Sequence, residues 1–198
     1  GAIVNPVIVG ISGASGSMLA RKTIDLLLEY RVPVILVCSN DAKLVWKQEM
    51  SDDFPDVLSA WQEDPNFDIY SIHEMTAPIA SGTFLTSGMV VVPCSMSSAA
   101  SISLGISNNL LLRSADVCLK ERRTLILVPR ETPIHATHLE NLTRLARLGA
   151  VIMPPDPPFY LGLTSMSEVA DFFAHRVLIS LDISDSLPDR FRYLGNQR

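Results

Sequence analysis

Residues 7–16 read Val-Ile-Val-Gly-Ile-Ser-Gly-Ala-Ser-Gly, and Ser17-Met-Leu-Ala20 continues them into a helical pattern. An apolar run, a glycine-rich turn and a helix in direct succession form one strand–turn–helix unit. Free N–H groups and the dipole at such a helix start suit an anion, most often a phosphate. The glycines Gly10, Gly13 and Gly16 are spaced G-x-x-G-x-x-G, not the G-x-G-x-x-G of dinucleotide folds. The unit points to an α/β sheet and leaves open which phosphate, if any, it holds.

Further apolar runs of strand length follow at Val34 to Val37, Met89 to Val92, Leu125 to Val128 and Val151 to Met153. They are continuous rather than alternating, as strands buried on both faces of a parallel sheet require. Helical patterns lie between them. Ile134 to Leu148 puts Leu139, Leu142, Leu145 and Leu148 on one face, with Thr132-Pro133 as N-cap and first-turn proline. Asn108 to Glu121 reads as a helix with Arg113 and Lys120 on one face. Ser165-Met-Ser-Glu168 is a capping box opening a helix to Leu181, striped by Val169, Phe173, Val177 and Leu181. The alternation predicts an α/β layered sheet with right-handed crossovers. Ser51 to Asp68, acidic and holding Pro55 and Pro65, reads as an irregular excursion. The division is one α/β domain over 1–183 and a polar tail over 184–198, lying on a neighbouring subunit or in solvent.

The 198 residues suffice for one full core. Lys plus Arg number 16 against 21 Asp plus Glu, so the net charge of -5 argues against nucleic acid as main partner. A mean hydropathy of +0.26 is apolar, yet the run at Met89 to Val92 is broken by Pro93 and none reaches membrane length. The surplus apolar surface is expected between subunits of a homo-oligomer. No basic segment precedes an apolar one at the N-terminus, and Cys38, Cys94 and Cys118 form no disulfide or zinc spacing. A cytoplasmic protein with buried thiols is the expectation.

In open parallel sheets, ligands bind beyond the carboxyl ends of the strands. Those ends carry Gly13-Ala-Ser-Gly16, Cys38-Ser-Asn40, Pro93-Cys-Ser-Met-Ser-Ser98 and Pro129-Arg-Glu-Thr-Pro133. Alone, a Gly/Ser turn is a tight connection and a serine cluster is a cap. Their shared edge makes them candidates for one site. An isolated Arg130-Glu131 would be a surface ion pair. Arg113, Lys120, Arg122, Arg123 and Arg176 add cations that would suit a second anion.

The segments "GISGASG", "APIASGTF", "VVPCSMSS", "LLLRSADVCLKERR", "LVPRETP", "HLENLTRLARLGAVIMPP" and "PFY" span nearly the whole chain. Together they resemble the UbiX-type flavin prenyltransferases, the family that includes the Pad-type partners of aromatic acid decarboxylases. The resemblance implies a Rossmann-like or flavodoxin-like layered parallel sheet with helices on both faces. It implies a homo-oligomer, commonly a dodecamer, that binds FMN and calls for no metal. The implied reaction joins a dimethylallyl group from its monophosphate to reduced FMN at N5 and C6, and the prenylated FMN passes to a UbiD-type decarboxylase. By resemblance Gly13, Ala14, Ser15, Ser39, Ser95, Met96, Ser97, Ser98 and Arg130 contact FMN. Tyr160 and Arg176 hold the dimethylallyl phosphate, with Lys120 and Arg113 adding charge partly across subunit contacts. Glu131 and Glu49 match the acid/base carboxylates. Without the resemblance, Tyr160 is a capping aromatic, Arg176 a polar-face residue, Ser15 a turn hydroxyl and Glu49 a helix-end carboxylate.

Breaking an allylic C–O bond leaves a cation and a phosphate, so guanidinium and ammonium groups, a π-rich ring and a carboxylate are the groups it needs. One departure is Met75, where the family often places an aromatic that encloses the allyl site. Its C-terminal aromatic is matched only loosely, by Phe191 or Tyr193. Asp52-Asp-Phe-Pro-Asp56 fits DDxxD, but Pro55 is expected to interrupt the helix that motif needs. His135 and His138 have ligand spacing without a third ligand nearby. The rivals are a flavin-dependent cysteine decarboxylase, whose Asn is missing from "PCSMSS", a decarboxylase subunit acting directly, and a non-catalytic FMN carrier.

Overall fold

Val7–Ile11, all buried, form the central strand β1 of a six-stranded sheet in the computed structural model, which describes residues 4–195. The other strands are β2 (Val34–Cys38), β3 (Phe67–Ser71), β4 (Gly88–Cys94), β5 (Leu125–Pro129) and β6 (Val151–Ile152). Every pairing is parallel and the order is β3-β2-β1-β4-β5-β6. The chain turns outward in both directions from β1, so the point where strand order reverses lies between β1 and β4. This is the doubly wound, Rossmann-like and flavodoxin-like arrangement the sequence implies.

Helices cover both faces. Val7, Val9 and Ile11 pack in one core with α1 (Ser17–Glu29), α2 (Asn40–Glu49), α3 (Phe54–Gln62) and α7 (Met166–Ser180). Ile8 faces the other core, with α4 (Met96–Ser103), α5 (Leu110–Lys120) and α6 (Ala136–Arg147). Two-sided burial is why the strands read as unbroken apolar runs. No described helix is long and apolar enough to cross a membrane.

Some expectations fail for local reasons. Ser51 to Asp68 is not irregular: it contains α3 and the start of β3. Pro55 does not interrupt a helix there but lies in the first turn of α3, where its missing N–H costs nothing. Trp46, Phe54, Trp61 and Phe67 stack edge to face or tilted, and the Trp61 indole N–H donates to Asp25 at 2.8 Å. β3 is an edge strand with only Phe67 buried, so no apolar run marks it. Thr132-Pro133 does not cap α6; His135 does, its Nδ1 accepting from the His138 N–H at 3.3 Å. Of the expected apolar face only Leu145 is buried, while Leu139 and Leu148 are 53% and 54% exposed. The α7 cap stands, except that Glu168 reaches the Thr164 N–H at 2.7 Å instead of that of Ser165.

Part of the described tail packs on its own chain, while Tyr193 and Leu194 stay exposed. Phe191, 3% exposed, packs on Phe172 and His175 of α7, and Arg190 pairs with Asp171. Residues 196–198 lie outside the described residues. Phe191→Ala should cost about 3 kcal/mol, the usual loss for a buried phenylalanine, read as a lower midpoint at unchanged slope in urea unfolding.

Candidate functional site

Helix starts gather at the carboxyl edge of the sheet because each of β1, β2 and β4 turns there. Ser39 caps α2 by accepting from the Ala42 N–H at 3.1 Å, and its own N–H donates to the Ile11 carbonyl at 3.0 Å. Ser95 caps α4 by accepting from the Ser98 N–H at 3.1 Å, and its hydroxyl donates to that of Ser98 at 3.0 Å. Met96 is buried behind it and Ser97 is exposed. In the first turn, Ala14 N–H donates to the Ser12 carbonyl at 2.9 Å. A Cβ at Gly13 would fall 2.6 Å from the Cβ of Asp41, so only glycine lets α2 approach this closely. Gly16 has φ 126°, which an L side chain rarely adopts.

The anion position at the start of α1 is taken by the protein itself. The Glu49 carboxylate, at the end of α2, accepts from the Gly16 N–H at 3.0 Å and the Ser17 N–H at 2.9 Å. Partial burial pushes its carboxyl up. Hydrogen bonds from the Ser15 hydroxyl, the Gly16 and Ser17 N–H groups and the Ser17 hydroxyl outweigh that and hold it below the ordinary carboxylate range. The Gly16 and Ser17 N–H groups are thus already paired within the chain. A lowered folded-state pKa stabilises above the unfolded value of 4.5 and is lost as pH falls through the lowered value. The stability advantage over Glu49→Gln should thus be full near neutral pH and vanish in acid, which thermal melts of both proteins across pH 3–7, a range of about four units around that value, would show.

Two clefts open at this edge and share Arg130 and Pro155. The first, about 570 Å³, is walled by Met18, Leu19, Met50 and Val169, with Ser15 and Glu49 on its rim. The second, about 330 Å³, holds Met96, Glu131, Thr132 and Asp156. Glu131 is exposed, and its only side-chain bond among the described residues is from the Thr132 N–H at 3.3 Å. A larger depression of about 710 Å³ lies at the far ends of α1 and α7, where Asp182 and Asp185 make it unsuited to an anion.

The structure thus lines the two clefts with Ser15, Glu49, Arg130, Glu131 and Met96, keeps Gly13, Ala14, Ser39, Ser95, Ser97 and Ser98 at the same edge, and leaves Tyr160, Arg176, Arg113 and Lys120 outside the cleft linings in one chain. Tyr160 is 68% exposed and meets Tyr193 edge to face at 5.5 Å. Arg176 is exposed on α7, two turns beyond the cleft residues Val169 and Ala170, about 10 Å along the axis. Arg113, at 3.4 Å from Asp116, also donates to the Ala80 carbonyl at 3.1 Å. Lys120 pairs with Glu121 at 2.6 Å. Because α5 leads into the start of β5, Lys120 lies at the opposite edge of the sheet from Arg130. Met75 is exposed. Among the described residues no three His, Cys, Asp or Glu group as metal ligands. Sequence reasoning missed the apolar wall (Met18, Leu19, Met50, Val169) and Ser12, a polar residue directly after an apolar run. That last signal was available.

The Flavoprotein family model matches residues 4–177. The flavin prenyltransferase UbiX of Methanocaldococcus jannaschii is 40% identical over 185 residues, 93% of this chain and 97% of that one. The crystal structure of AnUbiX (PadA1) in complex with FMN and dimethylallyl pyrophosphate superposes with a TM-score of 0.89 at 36% identity, covering 99% of this chain and 100% of that one. A dodecameric FMN-dependent UbiX-like decarboxylase from Escherichia coli O157:H7 gives 0.88 at 35% identity, covering 96% and 100%.

Proposed function

The chain belongs to the UbiX flavin prenyltransferase family of flavoproteins, and from that premise we propose that it transfers the dimethylallyl group of dimethylallyl monophosphate to reduced FMN, at N5 and C6, for use by a UbiD-type decarboxylase. The supporting observation is the pair of clefts meeting at Arg130, one apolar-walled beside Ser15 and Glu49, the other holding Glu131. A flat ring fits between apolar walls of this size, and the serine-capped helix starts suit its polar tail. Gly13, Ala14, Ser15, Ser39, Ser95, Met96, Ser97, Ser98 and Arg130 would hold it. Reduced FMN supplies the electron-rich ring that accepts the allylic carbon.

The chain's own groups do the rest. Arg176 and Tyr160 bind the donor phosphate, and their hydrogen bonds strengthen as the departing phosphate gains charge. Arg113 and Lys120 add positive charge. The position of Lys120 at the far edge of its own sheet makes its contribution one from a neighbouring subunit, which a homododecamer like the Escherichia coli relative would supply. Glu131 takes up the proton released as the second carbon bond closes, its carboxylate free in the cleft. Glu49, held by the Gly16 and Ser17 N–H groups beside the apolar cleft, is the second acid/base carboxylate.

The test is anaerobic incubation with reduced FMN and dimethylallyl monophosphate, followed by mass spectrometry of the flavin and assay of released phosphate. A gain of one C5H8 unit with equimolar phosphate is expected. Unaltered flavin and no phosphate would leave a carrier protein in place of an enzyme.

A further inference from the structure

Ser12 lies between two loops that carry most of the proposed flavin contacts, and nothing in the reaction chemistry calls for it. Its side chain is 2% exposed. The hydroxyl donates to the Pro93 carbonyl at 2.9 Å and accepts from the Ser95 N–H at 2.7 Å. Its own N–H also reaches the Pro93 carbonyl, at 3.3 Å.

The reason is in the ladder. β1 and β4 pair in register from Val7↔Gly88 to Gly10↔Val91. Beyond Val91 the β4 strand shifts register against β5 before Cys94. The regular β1–β4 register ends there, and a buried N–H left unpaired beyond it is costly. The hydroxyl gives the Ser95 N–H its acceptor and the Pro93 carbonyl a second donor beside the Ser12 N–H. It joins the residue before Gly13-Ala-Ser-Gly16 to the residue that caps α4, and Ser95 passes the constraint on to Ser98.

We infer that Ser12 is a positioning residue for the flavin: its hydroxyl clamps the β1 turn to the β4 turn and fixes the spacing of the contacts on either side of the ring. The inference rests on the proposed FMN site. It acts through Ser95 and the first turn, since Ser12 itself is sealed from the cleft. Bound ligands tolerate little misplacement of preorganised contacts, so losing the clamp should cost affinity beyond any loss of stability.

The experiment measures FMN affinity by fluorescence titration and the visible spectrum of bound FMN, alongside thermal melts. Ser12→Ala should weaken FMN binding by roughly tenfold or more and shift the bound-flavin spectrum, while Ser12→Thr, which keeps the hydroxyl, should restore binding toward the original. Thr23→Val is the control. It removes another buried hydroxyl, bonded to the Leu19 carbonyl within α1, and should lower the melting temperature without changing FMN affinity. If Ser12→Ala does not fold, Ser12→Cys, nearly the same size with a weak donor, should show an intermediate loss. FMN affinity unchanged in Ser12→Ala or Ser12→Cys, with the unsubstituted protein binding normally, would overturn the clamp alone. No FMN binding by the unsubstituted protein would instead overturn the site, and the clamp with it.

Discussion

Glu131→Gln is expected to bind FMN as the unsubstituted protein does and to lose about 10²–10⁴-fold in kcat, the range for removal of a general acid or base. The amide has the carboxylate's shape and can still accept from the Thr132 N–H, the one bond Glu131 makes among the described residues. Nothing in the fold depends on its charge, because the side chain is exposed at the rim of the smaller cleft. The loss should therefore appear in turnover and not in melting temperature or flavin affinity. Steady-state kinetics with both substrates, beside an FMN titration, separates these. Full turnover in the variant would remove Glu131 from the acid/base assignment.

Arg176→Ala and Lys120→Ala should each lower kcat/KM for the donor by about 10²–10³-fold, the scale for losing one charged contact to a developing anion, with FMN affinity intact. The two residues differ in where they sit. Arg176 is on α7, on the α1 face, and Lys120 ends α5 on the opposite face and at the opposite edge from Arg130. A single chain cannot bring Lys120 to its own cleft. Oligomers reassembled from a mixture of the two variants should therefore regain activity, because some sites then receive Arg176 from one chain and Lys120 from another. Mixed oligomers as inactive as their parents would mean that the two groups do not serve one site in this way.

The sheet was legible because its inner strands are buried on both faces, so Val7 to Ile11 and Leu125 to Val128 advertise themselves as unbroken apolar runs. β3 was not, since an edge strand with one buried residue carries no such run. α3 was hidden by Pro55, which breaks a helix in its middle and favours one at its start. α6 was overextended because its leucines suggest a buried face, whereas Leu139 and Leu148 stay exposed in the single chain. At the site, polar loops marked the sheet's ligand edge. The apolar wall was invisible because Met18, Met50 and Val169 belong to three separate helices or helix ends, and only folding brings them together. The capture of the α1 N-terminus by Glu49, 33 residues away from Gly16 in sequence, was beyond any local pattern.

The most direct measurement is a crystal structure of the oligomer with FMN and dimethylallyl monophosphate both bound. The isoalloxazine should lie in the apolar cleft beside Ser15 and Arg130, with the donor phosphate within hydrogen-bond distance of Tyr160 and Arg176 and the allyl carbon facing the ring. A phosphate bound away from both residues, or a flavin outside the Arg130 clefts, would contradict the account.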